Sequence, residues 1–168
     1  ALECPIYKIA SFENNDYDLI RQVSTSGKPI VVSTGMASDK DLLKIKDAVS
    51  NIAKLSYMHC ISAYPTYTHE ANINRMDRIR YVTGIQEVGF SDHTVNDLAA
   101  LAATVKGAHM IEKHLTIDQN TLDGSFSLNP DQFLDYVRNI REIKGTLVSK
   151  FDPQQPYTQF KRSVYAIK

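Results

Sequence analysis

The residues with most chemistry to offer stand in two short runs, Ser91-Asp92-His93 and Glu112-Lys113-His114. Each ends a stretch of apolar residues. Glu112 shares strand parity with His114, and Ser91 with His93, so each pair points to one face. If the two stretches are neighbouring parallel strands, about 4.8 Å apart, both imidazoles can meet one ion. Two imidazoles with open positions suit a catalytic divalent cation completed by waters and a substrate oxygen. The plainer reading is a pair of hydrogen-bonded polar histidines. His59 lies within a strand-like run and reads as a satisfied core histidine. His69 and His109 have no partner in the sequence.

Lys8 is a lysine between Tyr7 and Ile9 in an apolar run. A buried lysine needs an anion or carboxylate beside it. At a strand end it can act as a Schiff-base nucleophile or clamp a phosphate or carboxylate. Ser11, Ser33, Ser62 and Ser91 offer compact hydroxyl donors, and Tyr64 follows Ser62 closely. Together these residues describe a pocket for a small molecule carrying both phosphate and carboxylate. Turn hydrogen bonding is the alternative for each serine alone.

The elements that must carry these residues alternate. Short apolar runs at 5–10, 29–32, 55–60, 88–90 and 108–115 are rich in Ile, Val, Tyr or Phe and read as strands. Between them lie helical patterns. Residues 16–24 space Tyr17, Ile20 and Val23 by three, with Gly27 as a stop. Ser38 caps a helix whose buried face is Leu42, Leu43, Ile45 and Val49. Residues 72–81 carry Ile73, Met76 and Ile79, and residues 95–106 are rich in alanine and leucine. Asn129-Pro130 opens a long amphipathic helix marked by Phe133, Val137, Ile140, Ile143 and Leu147.

Strands and helices in strict alternation imply a parallel sheet with right-handed crossovers. An open doubly wound sheet and part of a (β/α)8 barrel both fit. In either, polar groups at the C-terminal strand ends form the active face. No glycine-rich dinucleotide or P-loop pattern follows a strand. The segment 151–168, with Pro153 and Pro156, reads as a linker leading out of the domain.

The 168 residues are 43% hydrophobic and 23% charged, an ordinary globular composition. Nineteen basic residues balance nineteen acidic ones, which argues against a nucleic-acid partner. No apolar run approaches the roughly 20 residues of a membrane span. Two cysteines, Cys4 and Cys60, make no disulfide framework or zinc knuckle, so a reducing, cytoplasmic setting is expected.

The runs YKIAS (7–11), PIVVSTGM (29–36), HCISAYPT (59–66), VGFSDHT (88–94) and IEKHLTID (111–118) resemble the N-acetylneuraminate (sialic acid) synthase family, which includes legionaminate and pseudaminate synthases. FSLNPDQF (126–133) and KRSVYAIK (161–168) resemble the family's late-barrel helix start and the linker to its C-terminal domain. The resemblance implies a TIM barrel that condenses phosphoenolpyruvate with an N-acyl amino sugar, N-acetylmannosamine or a diacetamido-trideoxyhexose. The products are a nonulosonic acid and phosphate. It implies that His93 and His114 hold Mn2+ or Mg2+. It also implies that Lys8, Ser11, Ser33, Ser62 and Ser91 contact phosphoenolpyruvate, and that Tyr64 and Asp123 lie by the sugar. Lys8 and Glu112 are the expected catalytic residues.

By the same resemblance, residues 1–150 correspond to barrel strands four to eight with their helices. Residues 151–168 would lead toward a SAF (antifreeze-like) domain. The family's strands one to three carry a glutamate used in proton transfer and a second lysine on phosphoenolpyruvate. The SAF domain lends an arginine across a domain-swapped homodimer. The chain by itself is therefore expected to be inactive or nearly so; the alternative readings are a Schiff-base barrel aldolase or lyase using Lys8, and a non-catalytic binding or assembly fragment.

Overall fold

The structure, a computed structural model, describes residues 3–148; the expected linker at 151–168 lies outside the described residues. Five parallel strands run in sequence order: β1 (Tyr7–Ile9), β2 (Ile30–Ser33), β3 (Leu55–His59), β4 (Val88–Asp92) and β5 (Ile111–Lys113). Helices α1 (Tyr17–Ser24), α2 (Asp39–Ala48), α3 (Arg75–Thr83), α4 (Leu98–Val105) and α5 (Pro130–Thr146) alternate with them. Among the described residues no helix is long and apolar enough to cross a membrane.

Helix starts follow the expected cap chemistry. Asp16 accepts from the backbone N–H of Leu19 at 2.9 Å. Ser38 with Asp41, and Asn129 with Gln132, form complete capping boxes, the second with proline in the first turn. Helix α3 starts later than its apolar spacing suggested. Asn72, at a φ of 45°, and the bond from Arg75 N–H to its carbonyl spend 72–74 on a turn. Gly84, left-handed at φ 74°, then ends the helix.

Alternation within the strands divides the sheet into two faces. Ile9, Ile30, Val32, Leu55, Tyr57, Val88 and Phe90 pack against Ile20, Leu42, Ile45, Met76, Ile79, Ala99 and Ala103 of the helices, forming one core. Leu43, expected in that core, is 43% exposed and faces outward. A smaller cluster of Ala100, Leu128 and Tyr136, with Ile111, Phe133, Val137 and Ile140 around it, seats α5. Tyr136, which the periodicity of α5 passed over, is its buried member.

The other face of the sheet is concave. Lys8 on β1 and Glu112 on β5 form an ion pair across it. These strands are the two ends of the sheet, four strand spacings apart, or about 19 Å if the sheet were flat. The contact therefore requires the curvature of a barrel wall, and the fold is half of a (β/α)8 barrel. Strand β5 is shorter than the apolar run 108–115. After Lys113 the chain pairs with the segment before α5: Leu128 N–H donates to His114 C=O at 3.0 Å, and Thr116 N–H to Leu128 C=O at 2.9 Å.

Candidate active site

All the expected site residues lie at or beyond the C-terminal strand ends. The register aligns Ser91 with Glu112, so His93 and His114 follow side by side. Their ring centroids are 5.4 Å apart, at an angle of 64°. Tyr64 lies over both, 4.2 Å from His93 and 6.0 Å from His114, and Phe126 packs edge-on against His114 at 4.9 Å. The sequence marked Phe126 only as the start of a helix-entry run, because its place beside His114 depends on the loop between β5 and α5.

Hydrogen bonding sets the His93 tautomer. Its Nδ1 is 2.7 Å from the Ile61 carbonyl, which can only accept, so Nδ1 carries the proton. Burial, with the neighbouring His114 ring, holds the imidazole below its ordinary value of 6.5, against the opposing pull of Ile61. A neutral ring protonated at Nδ1 has a free lone pair on Nε2. Ser91 Oγ lies 3.2 Å from that nitrogen and 2.7 Å from Glu112 Oε1, and the shorter contact to a carboxylate favours the serine proton there. Two acceptors therefore face each other, an arrangement that a cation relieves.

His114 Nδ1 lies 3.4 Å from Asp123 Oδ2, which sets a carboxylate beside that nitrogen. A ring whose second nitrogen is oriented by a carbonyl or a carboxylate is the usual form of a metal-binding histidine. The donor set thus fits a divalent ion held by two imidazoles. Among the described residues no cluster of three or more His, Cys, Asp or Glu side chains could hold an ion.

Lys8 is less buried than its apolar neighbours suggested. Its side chain is 35% exposed on the concave face, because the helix-facing position at the end of β1 belongs to Ile9. It donates to Glu112 Oε1 at 3.3 Å. That pairing suits an anion clamp rather than a Schiff-base nucleophile.

The serines form a second group. Ser11 Oγ is 3.0 Å from Cys60 Sγ, and Ser62 Oγ is buried without a partner. Gly35 sits between them at φ 31°, where a Cβ would lie 2.6 Å from Ser62 Oγ and 2.7 Å from Ser11 Cβ. Asn14, unnoticed in the sequence, donates to both the Ser33 and Thr34 carbonyls at 3.1 Å and fixes the end of β2. Ser33 itself is buried at that end. Both cysteines are free.

His59 is fully buried, as a core residue should be, but only half satisfied. Its Nε2 is 2.9 Å from the Ala71 carbonyl and its Nδ1 has no partner. Burial, reinforced by the charge of Arg75, lowers its pKa.

Comparison with known proteins agrees with this fold. A sequence model of the NeuB family matches residues 1–151. Pseudaminic acid synthase of Helicobacter pylori is 36% identical over 99% of this chain and 50% of its own length. N,N'-diacetyllegionaminic acid synthase of Campylobacter jejuni is 32% identical over 84% of this chain and 44% of its own. The crystal structure of N-acetylneuraminic acid synthetase from Leptospira borgpetersenii, in complex with citrate, superposes with a TM-score of 0.82 at 26% identity. It covers 96% of this chain and 59% of that one. The chain spans about half the length of the curated relatives it matches.

Proposed function

Because the chain belongs to the NeuB family, we propose that it is the later half of a nonulosonate synthase barrel. The reaction joins phosphoenolpyruvate to an N-acyl amino sugar, N-acetylmannosamine or a diacetamido-trideoxyhexose. The observation that carries this reading is the paired imidazoles beside the Lys8–Glu112–Ser91 chain: His93 through a neutral Nε2, His114 at 5.4 Å. Relatives named for pseudaminic and legionaminic acid synthesis support it. The setting is cytoplasmic, and the full-length protein a homodimer.

Bound to His93 and His114, Mn2+ or Mg2+ would supply Lewis-acid polarisation of the sugar's aldehyde oxygen. The C3 carbon of phosphoenolpyruvate forms the new bond to the aldehyde carbon, and the aldehyde oxygen keeps the C=O electron pair and takes a proton to become a hydroxyl. Positive charge develops at C2, and water adds there. Phosphate then leaves with the electron pair of the C2–O bond, and loss of a proton leaves the ketone. Lys8 holds the anionic groups and offsets charge on the departing phosphate. Ser11, Ser33, Ser62 and Ser91 supply hydroxyl donors to the phosphate and carboxylate. Glu112, accepting from both Lys8 and Ser91, is the base placed to take the water's proton. Tyr64 and Asp123 border the sugar.

The test is phosphate release from phosphoenolpyruvate with each sugar, in the full-length protein carrying His93→Ala or His114→Ala. Each loss should exceed the roughly 10–100-fold that follows removal of a group supporting a metal ligand. Undiminished turnover in both variants would overturn the reading.

A further inference from the structure

The two runs that carry the site also contain Asp92 and Lys113, which the proposed chemistry leaves unused. Both have the opposite parity to the site residues, so they point away from the concave face and under α5. Their side chains are 0% and 1% exposed, and the register places them opposite each other. A buried acid and base on the helix-facing side of the sheet require a structural partner.

The partners converge on Thr94, the residue after His93. Asp92 Oδ1 accepts from the Thr94 backbone N–H at 2.8 Å. Lys113 Nζ donates to the Thr94 carbonyl. Both backbone polar groups of this buried residue are therefore gripped by charged side chains. Asp92 Oδ2 accepts from Tyr136 Oη at 2.9 Å and lies 3.7 Å from Lys113 Nζ. The ammonium is also 5.8 Å from the centre of the Tyr136 ring. Tyr136 stands on α5, so the clamp is anchored from a separate element. Thr66 N–H donates to the His93 carbonyl at 2.9 Å, which leaves the side chain of His93 little backbone freedom.

We propose that Asp92, Lys113 and Tyr136 are positioning residues, a buried unit that holds Thr94 so that the His93 ring keeps its bond to Ile61 and presents Nε2 to a divalent ion. The inference rests on the reading of His93 and His114 as metal ligands. It goes beyond that reading in making α5 part of the ligand geometry.

The test uses the full-length protein with Tyr136→Phe, which removes one hydroxyl and keeps the ring, and Asp92→Asn. Ile79→Val, a core change in α3 away from the clamp, controls for general loss of stability. Two readouts need no substrate: titration with Mn2+ followed by its electron paramagnetic resonance, and 15N spectra of the histidine rings in the metal-free protein. Asp92→Asn should weaken Mn2+ binding about 10–100-fold and replace the single Nδ1–H form of His93 by a tautomer mixture. Tyr136→Phe should move both in the same direction by less, and Ile79→Val neither. Folded Asp92→Asn protein with wild-type affinity and unchanged His93 signals would overturn the proposal. If Asp92→Asn does not fold, Tyr136→Phe decides on the same criteria. If the wild type takes up no Mn2+, the metal reading fails by itself, and the ring signals alone decide the positioning role.

Discussion

Lys8 Nζ and Glu112 Oε2 lie 3.2 Å apart although they stand on the two outermost strands of the sheet. The pair is a chord across the open barrel wall, and it marks where an anion between β1 and β5 would displace one partner. Both side chains are more than a third exposed, at 35% and 42%. Solvent screening leaves such a pair worth roughly 0–1 kcal/mol.

Lys8→Met should therefore lower the unfolding free energy by less than about 1 kcal/mol. In the full-length protein the same change should raise KM for phosphoenolpyruvate at least tenfold. Urea unfolding and steady-state kinetics separate the two effects. A large stability loss with unchanged KM would assign Lys8 to the scaffold instead.

Gly35→Ala should act on both stability and the anion site. A Cβ would meet Ser62 Oγ at 2.6 Å and Ser11 Cβ at 2.7 Å, in a backbone conformation that side chains disfavour. The expected cost is about 1–3 kcal/mol, with weakened phosphoenolpyruvate binding. Gly145→Ala, in α5 with nothing within 4 Å of the new methyl, should instead stabilise by roughly 0.5–1 kcal/mol. Paired thermal melts of the two variants make the comparison.

Asn14→Ala removes the donors to the Ser33 and Thr34 carbonyls. The Thr34 carbonyl keeps the Ala37 N–H, but the Ser33 carbonyl loses a buried donor, at a cost of about 1–3 kcal/mol. The end of β2 loosens, so phosphoenolpyruvate binding should weaken while Mn2+ binding stays unchanged. Calorimetric titration with each ligand checks this. Equal loss of both would place Asn14 in a general scaffold role.

Acid should destabilise the metal-free chain in a window set by histidine. Burial holds His59 and His93 below their ordinary value of 6.5. Below that value the unfolded chain binds more protons than the folded one, so stability falls as pH drops from about 6.5. Asp41, held low mainly by its bonds from Ser38, adds its own loss only near and below its ordinary 3.8. His59→Gln should flatten the slope below about pH 6.5. Chemical unfolding at a series of pH values measures it, and an unaltered slope would exclude His59 as a contributor.

The half-barrel was legible because alternating strands and helices admit few topologies, and cap residues such as Ser38 and Asn129 act through their immediate neighbours. The site was legible because its donors cluster at strand ends. What escaped depends on distant partners. Tyr136 finds Asp92 from a helix far along the chain, and Asn14 reaches across to the next strand. Lys8 was misjudged because an apolar run says nothing of curvature, and the concave side of this sheet is open. Asp92 and Lys113 did carry a signal: each is a charge at a helix-facing strand position, where Phe90 and Ile111 are apolar.

That alternation in β4 and β5 bears on how these strands can evolve. Neighbouring residues serve opposite faces, with Ser91 and His93 toward the site and Asp92 beneath it, Glu112 and His114 toward the site and Lys113 beneath it. Exchanging one side chain leaves every other side chain on its own face. Inserting or deleting one residue before His93 would turn the clamp toward solvent and the imidazole into the helix layer, disabling both at once. The two strands should therefore accept substitutions yet hold their lengths fixed. Length variation among relatives would be confined to the loops beyond them, such as the one that brings Asp123 and Phe126 to His114.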